Sequence, residues 1–122
     1  MKLFVYGTLM QDQRNHEYLK DAQFLGAAET EPKYELTTNG SIPAVKEGGT
    51  DTIKGELYEV DEQQLKTLDV LEEVDTQLYD RKEIRVKGEK AVIYLGGERM
   101  FASDTWVKIP GGDWRSYKKE NA

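Results

Sequence analysis

The chain has 122 residues, 38% of them hydrophobic and 33% charged, and a formal net charge of −6. That length supports one domain over residues 1–122, with a single core, and is too short for two of ordinary size. The absence of cysteine and the presence of one histidine, His16, exclude a disulfide frame, a thiolate nucleophile and a His/Cys zinc site, and the acidic balance excludes the basic stripe that nucleic acid requires.

The apolar run at Met1-Lys2-Leu3-Phe4-Val5-Tyr6 is far shorter than a secretory h-region or a membrane span, so a soluble, cytoplasmic protein with no membrane partner is expected. Leu3 to Tyr6 reads as a buried first strand stopped by Gly7. Asn15 then caps a short helix over His16 to Lys20, and Gln23 to Thr30 returns as a strand. Tyr34 to Thr38 and Ile42 to Lys46 form a hairpin across Asn39-Gly40, with Pro43 demoting its second arm to an edge or irregular strand.

After the Gly48-Gly49 loop, Ile53 to Val60 is the next strand. Asp61 opens a helix, with Gln64 placed to complete a capping box. Arg81 to Val86 and Ala91 to Leu95 pair across Lys87-Gly88-Glu89. Trp106 and Trp114, around Ile109-Pro110-Gly111-Gly112, predict a docked tail. Strands outnumber helices, which gives an α+β, barrel-like fold class.

The Asp61 helix carries the most chemical information. At about 100° per residue from Leu65, Leu68 falls at about 300°, Leu71 at about 240° and Glu72 at about 340°, so this glutamate shares the apolar face. Glu73, at about 80°, turns to water, and Asp69, at about 40°, lies on the margin. A carboxylate on an apolar face is desolvated, which raises its proton affinity into the range of general acid/base catalysis. If the helix instead stops at Leu71, Glu72 is a solvated residue of an acidic turn with Glu73 and Asp75. Tyr6-Gly7-Thr8-Leu9 is open in the same way. It is either an ordinary strand-to-loop turn, without the spacing of a phosphate loop, or a set of N–H groups facing an anion.

Taken in order, Phe4-Val5-Tyr6-Gly7-Thr8-Leu9 with Asn15-His16, then Gly55-Glu56-Leu57-Tyr58-Glu59-Val60-Asp61 leading to Leu68-Asp69-Val70-Leu71-Glu72, resemble the gamma-glutamylcyclotransferase-like superfamily. The resemblance runs from Leu3 to Tyr79-Asp80-Arg81 and is nearest the gamma-glutamylamine cyclotransferase branch. It implies a small, mostly antiparallel β-barrel with flanking short helices. It also implies a cofactor-independent enzyme that converts a γ-glutamyl small molecule to 5-oxoproline and releases an amine or amino acid. By the same resemblance Glu72 is the catalytic acid/base, Tyr6, Gly7, Thr8 and Leu9 form the substrate loop, and Ile42, Pro43 and Tyr79 line the pocket. Two departures stand out: Tyr79 lies one residue further from Glu72 than the family pattern, and Glu73 occupies a position where relatives often carry a small residue.

His16 and Arg81 read as structural or surface-paired, and Tyr58, Trp106 and Trp114 as packing. Two rival functions are a non-catalytic binding module of the same fold and a glycoside hydrolase using Asp69 with Glu72, although acids three apart on one helix bracket a bond poorly. The leaving group stays open among an amine, an amino acid and cysteinylglycine, with Thr8 and Asn15-His16 leaning to the amine.

Overall fold

A computed structural model describes residues 1–102 and 105–122. The first strand, β1 (Lys2–Val5), is apolar on both faces, with Leu3, Phe4 and Val5 all buried, as a strand walled by neighbours on every side must be. It lies at the centre of a sheet with β2 (Gln23–Glu29), β5 (Lys54–Glu59), β6 (Tyr79–Val86) and β7 (Glu89–Gly96), in the order β2-β5-β1-β7-β6. β1 runs antiparallel to β5 and parallel to β7. A second sheet, in the order β4-β3-β8, joins β3 (Tyr34–Thr38), β4 (Pro43–Glu47) and β8 (Val107–Lys108).

The α+β, mostly antiparallel class is as the sequence predicts, but the barrel does not close. Among the described residues the outer strands meet through an isolated bridge from Thr30, one residue past β2, to Val86 of β6, where a closed barrel needs a continuous ladder. A register shift between Phe24 and Gly26, with Gly26 at φ 120°, marks a β-bulge in β2. Pro43 opens the edge strand β4, where its missing N–H breaks no ladder. Lys87 and Gly88, both at positive φ, form the two-residue turn between β6 and β7, so Glu89 belongs to the strand.

Helix α1 (Glu62–Leu71) begins with the full capping box: Asp61 accepts from Gln64 N at 2.7 Å and Gln64 Oε1 accepts from Asp61 N at 2.8 Å. His16–Leu19 is a 3-10 turn, not the short α-helix expected, and Asn15 makes no side-chain cap. Its amide is drawn back to Thr8 instead. Two further helices, α2 (Glu98–Ala102) and α3 (Trp114–Glu120), lack a readable apolar period in the sequence because they are short. The expected docked tail is α3. Trp114 is 1% exposed, and Arg115 reaches Glu56 Oε2 at 2.8 Å, Gln11 O at 2.8 Å and Asp12 Oδ1 at 3.1 Å. No helix among the described residues is long and apolar enough to cross a membrane.

β5 lies close against β1 because Gly55 has no side chain: a Cβ there would run into the Val5 carbonyl oxygen and the Phe4 ring. Both obstacles belong to the strand that delivers the Tyr6–Leu9 loop. Gly55→Ala is therefore expected to lower stability by about 2 kcal/mol through overpacking, read as a lower midpoint with an unchanged m-value in urea denaturation. An unchanged midpoint would mean that the two strands separate without cost.

Candidate active site

At the end of β1 the chain turns through Tyr6-Gly7-Thr8-Leu9, and every carbonyl from Gly7 to Leu9 is turned into the protein. Gly7 O accepts from Met10 N at 3.1 Å, Thr8 O from Asn15 N at 2.9 Å, and Leu9 O from His16 Nδ1 at 3.0 Å. The last contact requires the His16 tautomer with a proton on Nδ1. Asn15 Nδ2 also donates to Thr8 Oγ1 at 3.1 Å. With the carbonyls committed, the backbone N–H groups of Gly7, Thr8 and Leu9 find no acceptor among the described residues. Such a run of free donors is suited to an anion or a developing oxyanion.

Gly7 is fixed by its neighbour across the pocket. A Cβ at this position would lie 2.5 Å from Pro43 Cγ, so the loop and β4 can meet only with glycine here. Pro43 is held from the other side by the Tyr79 hydroxyl, which donates to its carbonyl at 2.9 Å.

Helix α1 ends at Leu71, where the alternative reading of the sequence stops it, yet Glu72 does not swing out to water. Its N–H still donates to Leu68 O at 2.8 Å, so it continues the helical path as the C-cap. Glu73 then takes the left-handed conformation at φ 51° and turns the chain away, pairing with Arg99 at 2.9 Å. The Glu72 side chain is left in a pocket lined also by Tyr6, Gly7, Thr8, Leu9, Pro43 and Tyr79.

No donor or cation among the described residues meets the Glu72 carboxylate. The three phenols of the pocket wall are engaged elsewhere: Tyr6 donates to Tyr94 O at 2.6 Å, Tyr79 to Pro43 O, and Tyr94 to Asp69 Oδ1 at 2.7 Å. Burial pushes the Glu72 carboxyl up to about 7 from a usual 4.5. Burial also raises Tyr6, Tyr79 and Tyr94, which stay protonated while Glu72 titrates.

Of the residues expected from sequence, Glu72, Tyr6, Gly7, Thr8, Leu9, Pro43 and Tyr79 line this one pocket, and Ile42 does not. Ile42 is partly buried against the core, one residue before β4. Asp69 is absent from the lining; it is held by Arg81 at 2.8 Å and by Tyr94, so it forms no carboxylate pair with Glu72 across an open cleft. Tyr94 was missed, and its place within an apolar strand gave no signal beyond packing. His16, set aside as structural, braces the loop through Leu9. Among the described residues, no group of three His, Cys, Asp or Glu side chains is placed to hold a metal ion.

The raised proton affinity of Glu72 has a thermodynamic consequence. In the unfolded chain it titrates near 4.5 and in the folded chain near 7. Between those values the folded state holds more protons, so the Glu72 contribution to stability falls as pH rises. Glu72→Gln removes this penalty. Relative to wild type, its stability is expected to improve by about 2 kcal/mol between pH 5 and pH 8, measured by urea denaturation at each pH. A difference that does not vary with pH would show that the carboxyl titrates as an ordinary surface acid.

A family model described as gamma-glutamyl cyclotransferase, AIG2-like, matches residues 3–116. The chain is 34% identical over 125 residues to the gamma-L-glutamyl-butirosin B gamma-glutamyl cyclotransferase of Niallia circulans, covering 98% of this chain and 79% of that one. An uncharacterized protein from Pyrococcus horikoshii superposes with a TM-score of 0.83 at 29% identity, over 99% of this chain and 95% of the other. An AIG2-like protein from Mus musculus does so with a TM-score of 0.72 at 27% identity, over 93% and 92%. The chain therefore belongs to the AIG2-like gamma-glutamyl cyclotransferase family, and cyclotransferase chemistry is its general activity.

Proposed function

We propose that this pocket cyclises γ-glutamyl compounds to 5-oxoproline and releases the amine or amino acid, with Glu72 as general base and then general acid. The observation that carries this reading is the unpartnered Glu72 carboxyl in the same pocket as the free N–H groups of Gly7, Thr8 and Leu9. The Niallia circulans relative is named for action on a γ-glutamyl compound, which supports the substrate class.

The nucleophile in this chemistry is the substrate's own α-amine, so intramolecular proximity replaces an enzyme nucleophile. The α-ammonium loses one proton to become nucleophilic and a second as its nitrogen bonds to the γ-carbon. The leaving nitrogen gains two as its bond to that carbon breaks, and no water is consumed. A carboxyl titrating near 7 accepts and returns protons at neutral pH with little free-energy mismatch in either direction. The loop N–H groups hold negative charge on the substrate, either its α-carboxylate or the tetrahedral oxyanion; one such donor is typically worth about 3 kcal/mol at an oxyanion. Tyr6, Pro43 and Tyr79 shape the wall that takes the glutamyl chain.

Mass-spectrometric detection of 5-oxoproline over γ-glutamylamines, γ-glutamyl amino acids and glutathione tests the reading. Wild type is expected to release it from at least one of them, and Glu72→Gln to lower kcat by about 10²- to 10⁴-fold. The wild-type kcat/KM should fall with a slope of one as pH drops below about 7, because protonated Glu72 cannot act as base. Folded wild-type protein that binds a γ-glutamyl compound without releasing 5-oxoproline would replace this reading with a non-catalytic binding module.

A further inference from the structure

Thr8 belongs to two cavities. On one side is the inner pocket with Glu72; on the other an outer cavity is lined by Asp12, Gln13, Arg14, Ser41, Trp114 and Lys118. In a protein of net charge −6, this outer cavity is locally cationic. Its one carboxylate, Asp12, is already paired with Arg115 at 3.1 Å. Arg14 is exposed and has neither an ion pair nor a hydrogen bond to any described residue. Lys118 lies over the Trp114 ring at 5.7 Å and meets no carboxylate among the described residues. Both cations are therefore available to an incoming anion.

Taking the proposed cyclisation as given, the division of the substrate follows from this arrangement. The glutamyl group, whose amine and γ-carbonyl must meet Glu72, fills the inner pocket. Whatever is bonded beyond the scissile amide passes Thr8 and enters the outer cavity. We propose that Arg14 and Lys118 form a leaving-group subsite that reads an anion, favouring γ-glutamyl amino acids whose departing residue carries its own α-carboxylate over neutral or cationic γ-glutamylamines. This reverses the lean toward amines that Thr8 and Asn15-His16 suggest in the sequence. The charge of Arg14 also reaches the inner pocket: burial and the Glu72 charge raise the Tyr79 hydroxyl, and Arg14 opposes them.

The test uses two substrates that differ in one charge, γ-glutamylalanine and γ-glutamylalaninamide, together with γ-glutamyl-1,5-diaminopentane as the cationic case. In wild type, kcat/KM for the alanine compound should exceed that for the alaninamide by roughly fivefold at low ionic strength, and the ratio should shrink as salt is added. Arg14→Gln and Lys118→Gln should each compress the ratio, and Arg14→Glu should shift the preference toward the diamine. The same ratio is read without turnover by calorimetric titration of Glu72→Gln. A wild-type ratio near one, or a ratio that Arg14→Gln does not alter, overturns the subsite while 5-oxoproline release leaves the cyclisation standing. A ratio retained in binding with no 5-oxoproline from wild type supports the subsite and removes the cyclisation.

Discussion

The constraint on which the site depends is that one carboxyl, Glu72, is drawn largely out of water and meets no donor or cation among the described residues. A polar group placed this way ordinarily costs stability, and a folded chain removes the cost by pairing it. Here the surroundings withhold the pairing. Three phenols line the same pocket, and each spends its proton on a different acceptor: the Tyr94 carbonyl, the Pro43 carbonyl and Asp69. These three bonds also brace the walls. Tyr79 holds Pro43 against Gly7, Tyr6 ties the end of β1 to β7, and Tyr94 ties β7 to α1. The contacts that make the pocket rigid are thus the ones that keep donors away from Glu72.

A more deeply buried acid shows that the treatment of Glu72 is not simply a consequence of burial. Glu56, 4% exposed, accepts from Gln11 N at 2.9 Å and Tyr58 OH at 3.1 Å, and pairs with Arg115 at 2.8 Å. A buried charge so fully engaged acts as a fastener. It joins β5, the segment after Leu9 and α3 at one point, and through Arg115 it also fixes Gln11 O and Asp12. The loop that presents free N–H groups is therefore anchored on both sides, by β1 before it and by Glu56 and Asn15-His16 after it. Free donors hold their aim only when the backbone carrying them cannot relax to satisfy itself.

Local signals made much of this legible in the sequence. The apolar run of β1, the capping box of α1 and the hairpin of β6 and β7 each follow from residues adjacent in the chain. Glu72 was singled out by a helical period that in fact ends one residue earlier; the side chain kept its direction because the C-cap N–H still bonds to Leu68 O. What stayed hidden was set by partners distant in sequence. Asn15 was read as a helix cap, and its amide is spent on Thr8. Glu56 falls inside the strand predicted over Ile53 to Val60, and its role depends on Arg115, 59 residues away. Tyr94 sits in the apolar run of β7, and only the fold places it beside both Asp69 and the pocket. The incomplete barrel belongs with these, because closure depends on how β2 and β6 meet and neither strand carries that information alone.

The economy of the site follows from the chemistry proposed for it. When the nucleophile and the electrophile belong to one substrate molecule, the protein need not build or activate a nucleophile, and the entropic cost of bringing the two together has already been met by the covalent link. Proton transfer and the holding of negative charge remain, and they ask for different materials. Proton transfer needs a group that titrates near the working pH, which desolvation of a single glutamate provides. Charge stabilisation needs donors that do not titrate, which backbone N–H groups provide regardless of pH. A second acid beside Glu72 would couple to it and split the titration, and a cation beside it would lower its proton affinity out of range. The engaged state of Asp69 and the position of Arg14 in the outer cavity instead of against Glu72 keep both disturbances at a distance.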